Sequence, residues 1–179
     1  MQDRERWDAR HAAEPLDRPR PPDAWVREVV EGLASTPRSA LDLACGTGRH
    51  ALWLAQRGTS VEAWDVSPVG LRRLRQQAQE RGLVIETREV DLSGPLPTPL
   101  PRDLVLVVDY LDRELLDRLA PWITPGGHAL VSTFTDDYPG PHPSARFRLR
   151  RGELRALQGL ETRIAQERGG RALLLATRA

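Results

Sequence analysis

The sequence contains one cysteine, no lysine and no asparagine among its 179 residues. Because Cys45 stands alone, no intrachain disulfide can form, and this favours a reducing compartment. The absence of lysine excludes a lysine Schiff base, a lysine general base and a phosphate-binding loop that ends in lysine. The four histidines have no ligand spacing, and a lone cysteine cannot build a zinc site, so we predict no metal centre.

Long apolar segments are also missing. The most continuous apolar run, at 104–108, is far shorter than the roughly 20 residues of a membrane span. The N-terminus is charged and carries no apolar signal core. Basic and acidic residues number 26 and 25, giving a net charge of +1, which does not indicate a polyanionic partner. These features predict a cytoplasmic protein, monomeric or homodimeric, with no membrane partner, and they disfavour a nucleic-acid partner.

The chain changes character near residue 39. A proline run at 19–22 ends a polar, arginine-rich beginning, and Asp23 is placed to cap a short amphipathic helix. From residue 39 onward, strand and helix patterns alternate. We therefore predict an N-terminal helical segment over residues 1–38, which is a possible lid, and a single domain over residues 39–179.

The alternating region predicts a mostly parallel sheet, because apolar strand patterns are separated by amphipathic helices. The predicted strands are 39–44, 60–64, 83–90, 103–108 and 128–134. The predicted helices are 48–58, 67–82, 111–119 and 152–158, with a turn at 125–127 and loops at 92–101 and 135–144. Strands at 160–167 and 171–177 flank Arg168-Gly169-Gly170 as a hairpin. The fold class is therefore α/β and doubly wound, with seven strands and an antiparallel C-terminal strand.

The most informative segment runs from Asp42 to Gly48, where a strand leads through a glycine turn into a helix. Its glycines, Gly46 and Gly48, allow a tight turn and a close approach of the backbone to a ligand. Asp65 ends the next predicted strand, where a carboxylate can accept hydrogen bonds from ribose hydroxyls; it is also placed to cap the following helix.

Asp42 distinguishes this turn from a dinucleotide site. A carboxylate beside a pyrophosphate is repulsive, whereas the sulfonium and α-ammonium groups of S-adenosylmethionine are cations. The absence of a third glycine, which is replaced by Ala51, also disfavours a dehydrogenase.

The segment Asp42-Leu-Ala-Cys-Gly-Thr-Gly48 resembles motif I of the class I S-adenosylmethionine-dependent methyltransferases, which have a Rossmann-like fold. The resemblance covers residues 39–179 and implies S-adenosylmethionine as the cofactor. It places Asp42 at the amino group, Asp65 at the ribose, Asp91-Leu92 at the adenine and Asp109 again near the amino end. The full cofactor-binding set that it implies is Asp42, Ala44, Cys45, Gly46, Gly48, Asp65, Val66, Asp91, Leu92 and Asp109.

Within that family, the sequence resembles small bacterial methyltransferases of the tellurite-resistance type. The shared patterns are W-D-x-R at 7–10, Y-L-x-R at 110–113, P-G-G at 125–127 and G-E-L at 152–154. Two positions depart from the pattern: His11 replaces a tyrosine and Asp112 replaces a histidine. Trp7, Arg10 and His11 are the candidate lid or substrate residues.

Methyl transfer mainly requires that the nucleophile, the methyl carbon and the sulfur are held in line. A hydroxyl or amine acceptor also needs a base, and the candidates are Tyr110, Asp112 and His142, with Asp109 nearby. We predict transfer to a small-molecule acceptor. The alternatives are an RNA or protein methyltransferase and a non-catalytic module that binds S-adenosylmethionine. The basic run over 146–151 is interpreted as a solvated face.

Overall fold

The computed structural model describes residues 2–15, 20–98 and 100–179. The predicted proline boundary begins at Pro19, which lies outside the described residues, as does Pro99 in the predicted loop at 92–101. The chain forms two compact units, Met1–Pro97 and Thr98–Ala179. The predicted division into an N-terminal segment over residues 1–38 and a domain over residues 39–179 does not correspond to these units, and it stays a prediction.

Within residues 2–15 and 20–97, the first unit contains four helices and three parallel strands. Its elements in chain order are α1 Gln2–Ala12, α2 Ala24–Glu31, β1 Ser39–Leu43, α3 Arg49–Gln56, β2 Ser60–Asp65, α4 Pro68–Glu80 and β3 Ile85–Glu89. The strand β2 pairs with β1 on one side and with β3 on the other, both in parallel. Because the three strands are parallel, their carboxyl ends lie at one edge of this part of the sheet.

Two predicted helix caps form in the first unit. The Asp23 carboxylate accepts hydrogen bonds from the amides of Trp25 at 3.0 Å and Val26 at 3.1 Å, so α2 begins directly after it. The Ser67 hydroxyl accepts one from the amide of Gly70 at 3.0 Å, and Pro68 starts α4. Both caps satisfy amides that have no partner within their own helix.

The described part of the second unit contains one short helix and four strands, joined by two single-turn 3₁₀ helices at Ala120–Trp122 and Ala145–Phe147. The elements are β4 Arg102–Val108, α5 Arg113–Leu116, β5 Ile123–Phe134, β6 Glu161–Arg168 and β7 Arg171–Thr177. The strands β4 and β5 are parallel, and β7 runs antiparallel to both β5 and β6. Gly169 and Gly170, with φ of 58° and 75°, make the predicted hairpin turn between β6 and β7.

The strands are ordered β3-β2-β1-β4-β5-β7-β6 in a seven-stranded mixed sheet. The prediction of an α/β fold with a mostly parallel seven-stranded sheet and an antiparallel C-terminal strand is therefore confirmed. The continuous apolar run of β4 is buried, with Leu104, Val105, Leu106 and Val107 each 0% exposed. A strand that is covered on both faces has this composition.

Three predicted elements differ from the structure. Residues 152–158 are not helical: Gly152 has a φ of 76°, and the Arg155 side chain donates to the Gly152 carbonyl instead. Leu154 and Leu157 are nevertheless buried, so the apolar spacing marked burial rather than a helix. The predicted helix at 111–119 shortens to α5. The predicted turn at 125–127 lies within the bounds of β5.

Candidate functional site

The turn between β1 and α3 is built from left-handed backbone. Ala44, Gly46 and Gly48 have φ of 55°, 58° and 83°. A Cβ atom at Gly48 would overlap the Leu74 side chain of α4, and one at Gly46 would lie 3.0 Å from the His11 ring. Glycine is therefore required at Gly48 for its backbone angles and for space, and at Gly46 it avoids backbone strain and a tight contact with the His11 ring.

The Asp42 carboxyl group is buried beneath this turn. Asp42 is 1% exposed, and its Oδ2 atom has no hydrogen-bond partner. Burial raises its pKa to about 7, and the charge of Asp65 adds to the rise, although the Ala51 amide and the Arg49 charge oppose it. A buried carboxyl oxygen without a partner is costly in an isolated protein, so this group is suited to a cationic ligand.

Asp65 fastens the glycine turn to the end of β2. Its Oδ2 atom accepts a hydrogen bond from the Gly46 amide at 2.7 Å, and its Oδ1 atom accepts one from the Ser67 amide at 2.8 Å. Burial raises the pKa of Asp65, and these two hydrogen bonds oppose the rise. A carboxylate has about four acceptor positions, so Asp65 can hold the turn and still accept from a ligand hydroxyl.

The remaining predicted cofactor-binding residues of the first unit follow the carboxyl ends of β1, β2 and β3. Asp91 follows β3 and accepts hydrogen bonds from the Ser93 amide at 3.0 Å and the Ser93 hydroxyl at 2.6 Å, which lower its pKa. Leu92 is buried and Val66 is half-buried. Cys45 is buried and its pKa is raised well above the ordinary thiol value by burial, so it is an unreactive packing residue.

Helix α1 lies over the glycine turn and the start of α4. The His11 ring is 3% exposed and stacks on Trp7, with 5.6 Å between ring centroids. The Asp8 carboxylate accepts hydrogen bonds from the Ser67 hydroxyl at 2.5 Å and the Val69 amide at 3.2 Å. Arg10 is exposed and lies over the Trp7 ring at 5.2 Å. Of the three predicted lid residues, His11 is the one directly against the turn.

Glu14 and Gly70 also take part in the packing of α1 against the glycine turn and α4. Neither residue was predicted from the sequence. The Glu14 carboxylate accepts a hydrogen bond from the Thr47 hydroxyl at 2.9 Å, within the glycine turn itself. A Cβ atom at Gly70 would lie 2.9 Å from the Gly46 carbonyl oxygen and 3.0 Å from the His11 ring. Gly70 therefore allows α4, α1 and the turn to meet. A glycine in the first turn of a helix was the available signal.

The other predicted residues belong to the second unit. Asp109 follows β4 in the left-handed region, with a φ of 60°, and its carboxylate contacts Arg171. Tyr110 is half-buried beside it in sequence, and His142 is exposed. Asp112 caps α5 by accepting a hydrogen bond from the Leu115 amide at 3.1 Å. This gives Asp112 a structural role in addition to its predicted one.

The basic run over 146–151 is not one solvated face, so that interpretation was wrong for Arg148. Arg148 is half-buried and donates to the carbonyls of Tyr138, Gly140 and Pro143 at 2.8, 2.5 and 2.8 Å. It thereby fixes the predicted loop at 135–144. The three carbonyl groups lie five to ten residues before Arg148, and a pattern of charges does not reveal backbone partners of this kind.

Comparison with known proteins decides the family. Residues 40–127 match the family described as "Methyltransferase domain". These residues form a methyltransferase domain of the class I S-adenosylmethionine-dependent type. The matched region includes Asp42, the glycine turn, Asp65, Asp91 and Asp109.

Relatives of this methyltransferase agree with that assignment. It is 35% identical to the demethylmenaquinone methyltransferase of Thermus thermophilus over 62% of this chain and 54% of that protein. It is 28% identical to the probable S-adenosyl-L-methionine-dependent methyltransferase TehB of Haemophilus influenzae, over 60% of this chain and 41% of TehB. The chain spans about half the length of these curated relatives. The crystal structure of TehB superimposes with a TM-score of 0.73 at 22% identity, covering 88% of this chain and 62% of TehB, and shows the same fold.

The first unit of the methyltransferase fits the cofactor of its family. The turn leaves no room for a side chain at Gly48 and little at Gly46, and the Asp42 oxygen without a partner is the group that an ammonium would satisfy. The predicted family and cofactor are thus confirmed. Among the described residues, no helix has the length and apolarity needed to cross a membrane. The same residues contain no cluster of three or more histidine, cysteine, aspartate or glutamate side chains placed to hold a metal ion.

Proposed function

We propose that the protein transfers the methyl group of S-adenosylmethionine to a small-molecule acceptor. The observation that carries the proposal is the buried Asp42 carboxyl group, whose Oδ2 atom has no partner beneath a glycine turn. An unpaired buried carboxyl group costs stability, and a cationic ligand would offset that cost. A dinucleotide, which the sequence disfavours, lacks this match, because a pyrophosphate is an anion.

Each residue around the turn has a proposed role. Asp42 receives the α-ammonium group, and the backbone of Gly46 and Gly48 lies against the methionine part. Asp65 accepts from the ribose hydroxyls while it holds the Gly46 amide, and Asp91 with Leu92 flanks the adenine. Ala44, Cys45 and Val66 contribute backbone and packing, and the role of Asp109 near the cofactor's amino end stays a prediction from the sequence.

The bound cofactor supplies an electrophilic methyl group on a sulfonium whose departure leaves a neutral thioether. The protein's part is to orient the acceptor and to exclude water, which can contribute roughly 7–11 kcal/mol in favourable cases. For an acceptor that must lose a proton, Tyr110, Asp112 and His142 are the candidate bases. The Asp112 carboxylate also accepts a hydrogen bond from the Leu115 amide at 3.1 Å, which ties it to the start of α5.

Two observations support a small-molecule acceptor. The name of the Thermus relative specifies a demethylmenaquinone, which is a small molecule. The net charge of the whole chain is only +1, and Arg148 of the basic run is directed inward, so neither feature favours a nucleic-acid substrate. An RNA or protein substrate and a purely non-catalytic module are the alternatives that the experiment below must exclude.

Calorimetry with S-adenosylhomocysteine and with NAD tests the cofactor. We expect micromolar affinity for the homocysteine compound and none for NAD; binding of NAD alone would refute the proposal. Release of S-adenosylhomocysteine is then measured across quinols, phenols, thiols, metalloid oxyanions, a peptide pool and tRNA. Release with tRNA or peptides alone would refute the small-molecule acceptor. Cofactor binding with no release from any class would favour the non-catalytic module.

The N-terminal segment over residues 1–38 is proposed as a lid for the same site. Its supporting contacts are those of α1 and the residues just after it: Asp8 with the start of α4, His11 with the glycines, and Glu14 with Thr47. Arg73 of α4 strengthens the attachment, because its guanidinium donates to the carbonyls of Ala12 and Glu14 at 2.7 and 2.5 Å. A lid that touches the cofactor turn can open and close the site without moving the sheet.

Replacing Glu14 with glutamine should weaken this attachment in a pH-dependent way. Burial alone would raise the pKa of Glu14, but the His11 and Thr47 hydrogen bonds and the Arg20 charge lower it from 4.5 to about 2. A lowered carboxyl pKa stabilises the fold above 4.5, and that contribution is lost as the pH falls from 4.5 towards 2. The variant should therefore be less stable at pH 7, by about 1 kcal/mol, with a smaller deficit at pH 3.

Thermal unfolding between pH 3 and pH 8 measures this difference, and Glu5→Gln on the exposed face of α1 is the matched control. An equal deficit at pH 3 and pH 7 would contradict the assignment. If the segment acts as a lid, Glu14→Gln should also speed the dissociation of S-adenosylhomocysteine, which stopped-flow measurements detect.

A further inference from the structure

A cleft lies along one side of α3, within the first unit, and is called the α3 cleft below. Its lining residues on the helix recur at the three- and four-residue spacing of a single helix face, and they are Arg49, Leu52, Trp53 and Gln56. Residues 20–22 of the N-terminal segment and Arg81, which follows α4, complete the lining. Three separate parts of the first unit therefore meet around the α3 cleft.

The charged side chains of the α3 cleft have one sign. Arg20, Arg49 and Arg81 line it, and none of the described residues that line it is acidic. A cleft lined by charges of one sign raises the local concentration of oppositely charged ligands. Like charges that are brought together also repel each other, and an anion between them would offset that repulsion. The lining therefore favours an anionic ligand.

Two of these arginines are held by partners outside the α3 cleft. The Arg20 Nη2 atom donates to the Glu14 carboxylate at 2.8 Å, and the Arg81 Nη2 atom donates to the Gln77 Oε1 atom at 3.4 Å. A guanidinium group has five N–H donors, so one such bond leaves donors for a ligand. Side chains that are held before a ligand arrives lose less freedom when it binds.

The remaining lining of the α3 cleft is mainly apolar. Leu52 is 2% exposed, the Trp53 ring is half-buried, and Pro21 and Pro22 contribute their rings from the N-terminal segment. The Arg57 guanidinium lies 5.4 Å from the centroid of the Trp53 ring, which limits its movement. The cleft has a volume of about 260 Å³, just below the roughly 300–1,000 Å³ of most ligand pockets. A molecule with one ring is of suitable size.

We propose that the α3 cleft binds a small organic phosphate ester that carries one planar apolar ring. A phosphate ester presents three acceptor oxygens and about two negative charges near pH 7, which suits a site with three guanidinium groups. The ring packs against Trp53 and the two prolines. The inference is independent of the proposed function. The α3 cleft begins at Arg49, directly after the glycine turn, and extends along the helix to Gln56, about 10 Å away from that end.

Calorimetry with three probes separates the contribution of the charge from that of the ring. The probes are phenyl phosphate, inorganic phosphate and benzyl alcohol. Phenyl phosphate should bind one-to-one with a Kd of about 100 μM, and inorganic phosphate should bind at least about tenfold more weakly. Benzyl alcohol should show no binding. Saturating S-adenosylhomocysteine should change the Kd of phenyl phosphate by less than about threefold, because the two ligands occupy different places.

Two substitutions assign the parts of the probe to the parts of the α3 cleft. Arg81→Gln should weaken the binding of phenyl phosphate and of inorganic phosphate about tenfold each, since both lose a charged donor. Arg81→Lys should fall between the wild type and Arg81→Gln, because lysine keeps the charge without the fork of donors. Trp53→Leu should weaken phenyl phosphate about fivefold and leave inorganic phosphate unchanged, since the loss concerns the ring alone.

Arg75→Gln is the matched control. Arg75 is an exposed arginine of α4 that donates to the Thr87 hydroxyl at 2.6 Å and does not line the α3 cleft. The variant loses one positive charge and should bind phenyl phosphate as the wild type does. If Trp53→Leu fails to fold, the exposed position of Arg81 still provides the comparison among Arg81→Gln, Arg81→Lys and Arg75→Gln.

Absence of phenyl phosphate binding, equal affinity for inorganic phosphate, or equal losses in Arg75→Gln and Arg81→Gln would each overturn the inference. Displacement of phenyl phosphate by S-adenosylhomocysteine would also overturn it, because the probe would then occupy the cofactor site, and the proposed function would stand. Binding of phenyl phosphate as described, by a protein that does not bind S-adenosylhomocysteine, would overturn the proposed function and support this inference.

Discussion

Asp42→Asn should stabilise the protein without ligand and weaken its affinity for S-adenosylhomocysteine at the same time. Burial raises the pKa of Asp42 from 3.8 to about 7. Between these values the unfolded chain releases a proton that the folded protein retains, so stability falls as the pH rises through this range. At pH 8 the full cost is present, about 4 kcal/mol at most. Asparagine removes this titration, and its amide can still accept from Ala51.

Ligand binding should change in the opposite direction. A neutral amide cannot pair with an ammonium, so the affinity for S-adenosylhomocysteine at pH 8 should fall about 100-fold. In the wild type, this affinity should rise as the pH increases through about 7, because the ligand selects the ionised carboxylate. Calorimetry and urea unfolding at pH 3.5, 6 and 8 measure both effects.

Asp136→Asn, at an exposed position of the second unit, is the control for the loss of one negative charge. It should change neither stability nor affinity appreciably. A variant at Asp42 that is less stable at pH 8 and binds the ligand normally would contradict the proposed role of its carboxyl group.

Gly48→Ala should cause the largest loss of stability among the glycine substitutions in the turn. The φ of 83° strains any residue with a Cβ atom, and that atom would overlap the fully buried Leu74 side chain. Strain and overpacking together cost about 3 kcal/mol or more. Because α4 or the turn must move to relieve the overlap, S-adenosylhomocysteine binding should fall as well.

Gly58→Ala separates the effect of backbone strain from the effect of the overlap with Leu74. Gly58 has a φ of 86°, but nothing lies within 4 Å of a Cβ atom built there. Its substitution should cost about 1 kcal/mol from strain alone and should leave ligand affinity unchanged. Urea midpoints at constant m-value measure both variants. Equal losses for the two would show that the contact with Leu74 is unimportant.

Much of the fold was accessible from the sequence, because its signals are local. The caps at Asp23 and Ser67, the glycine turn and the diglycine hairpin each depend on the chemistry of a few adjacent residues, and each forms as predicted. The prediction of a helix at 152–158 was wrong because it also depended on a local pattern, the spacing of apolar residues. Buried leucines spaced three apart are a burial pattern, and glycine backbone angles decided against the helix.

The roles of individual charged residues were much less accessible. The chain contains 26 arginines and no lysine. Residue type therefore does not distinguish Arg148 or Arg171 from the other arginines. Arg171 contacts Asp109 across 62 residues of sequence, and Asp8 contacts Ser67 across 59. Pairing over such separations depends on which strand ends and helix starts come together, and a single sequence contains no local signal for that.

The sequence by itself therefore determined the alternating architecture, the glycine turn and the carboxylates at the ends of β1 and β2, since strand periodicity and turn chemistry act over a few residues. Only the tertiary structure decided that Asp42 is buried with an oxygen lacking a partner, that Glu14 and His11 lie against the turn, and that Arg171 contacts Asp109. Burial and long-range pairing arise when distant segments exclude water together, and that is a property of the folded chain.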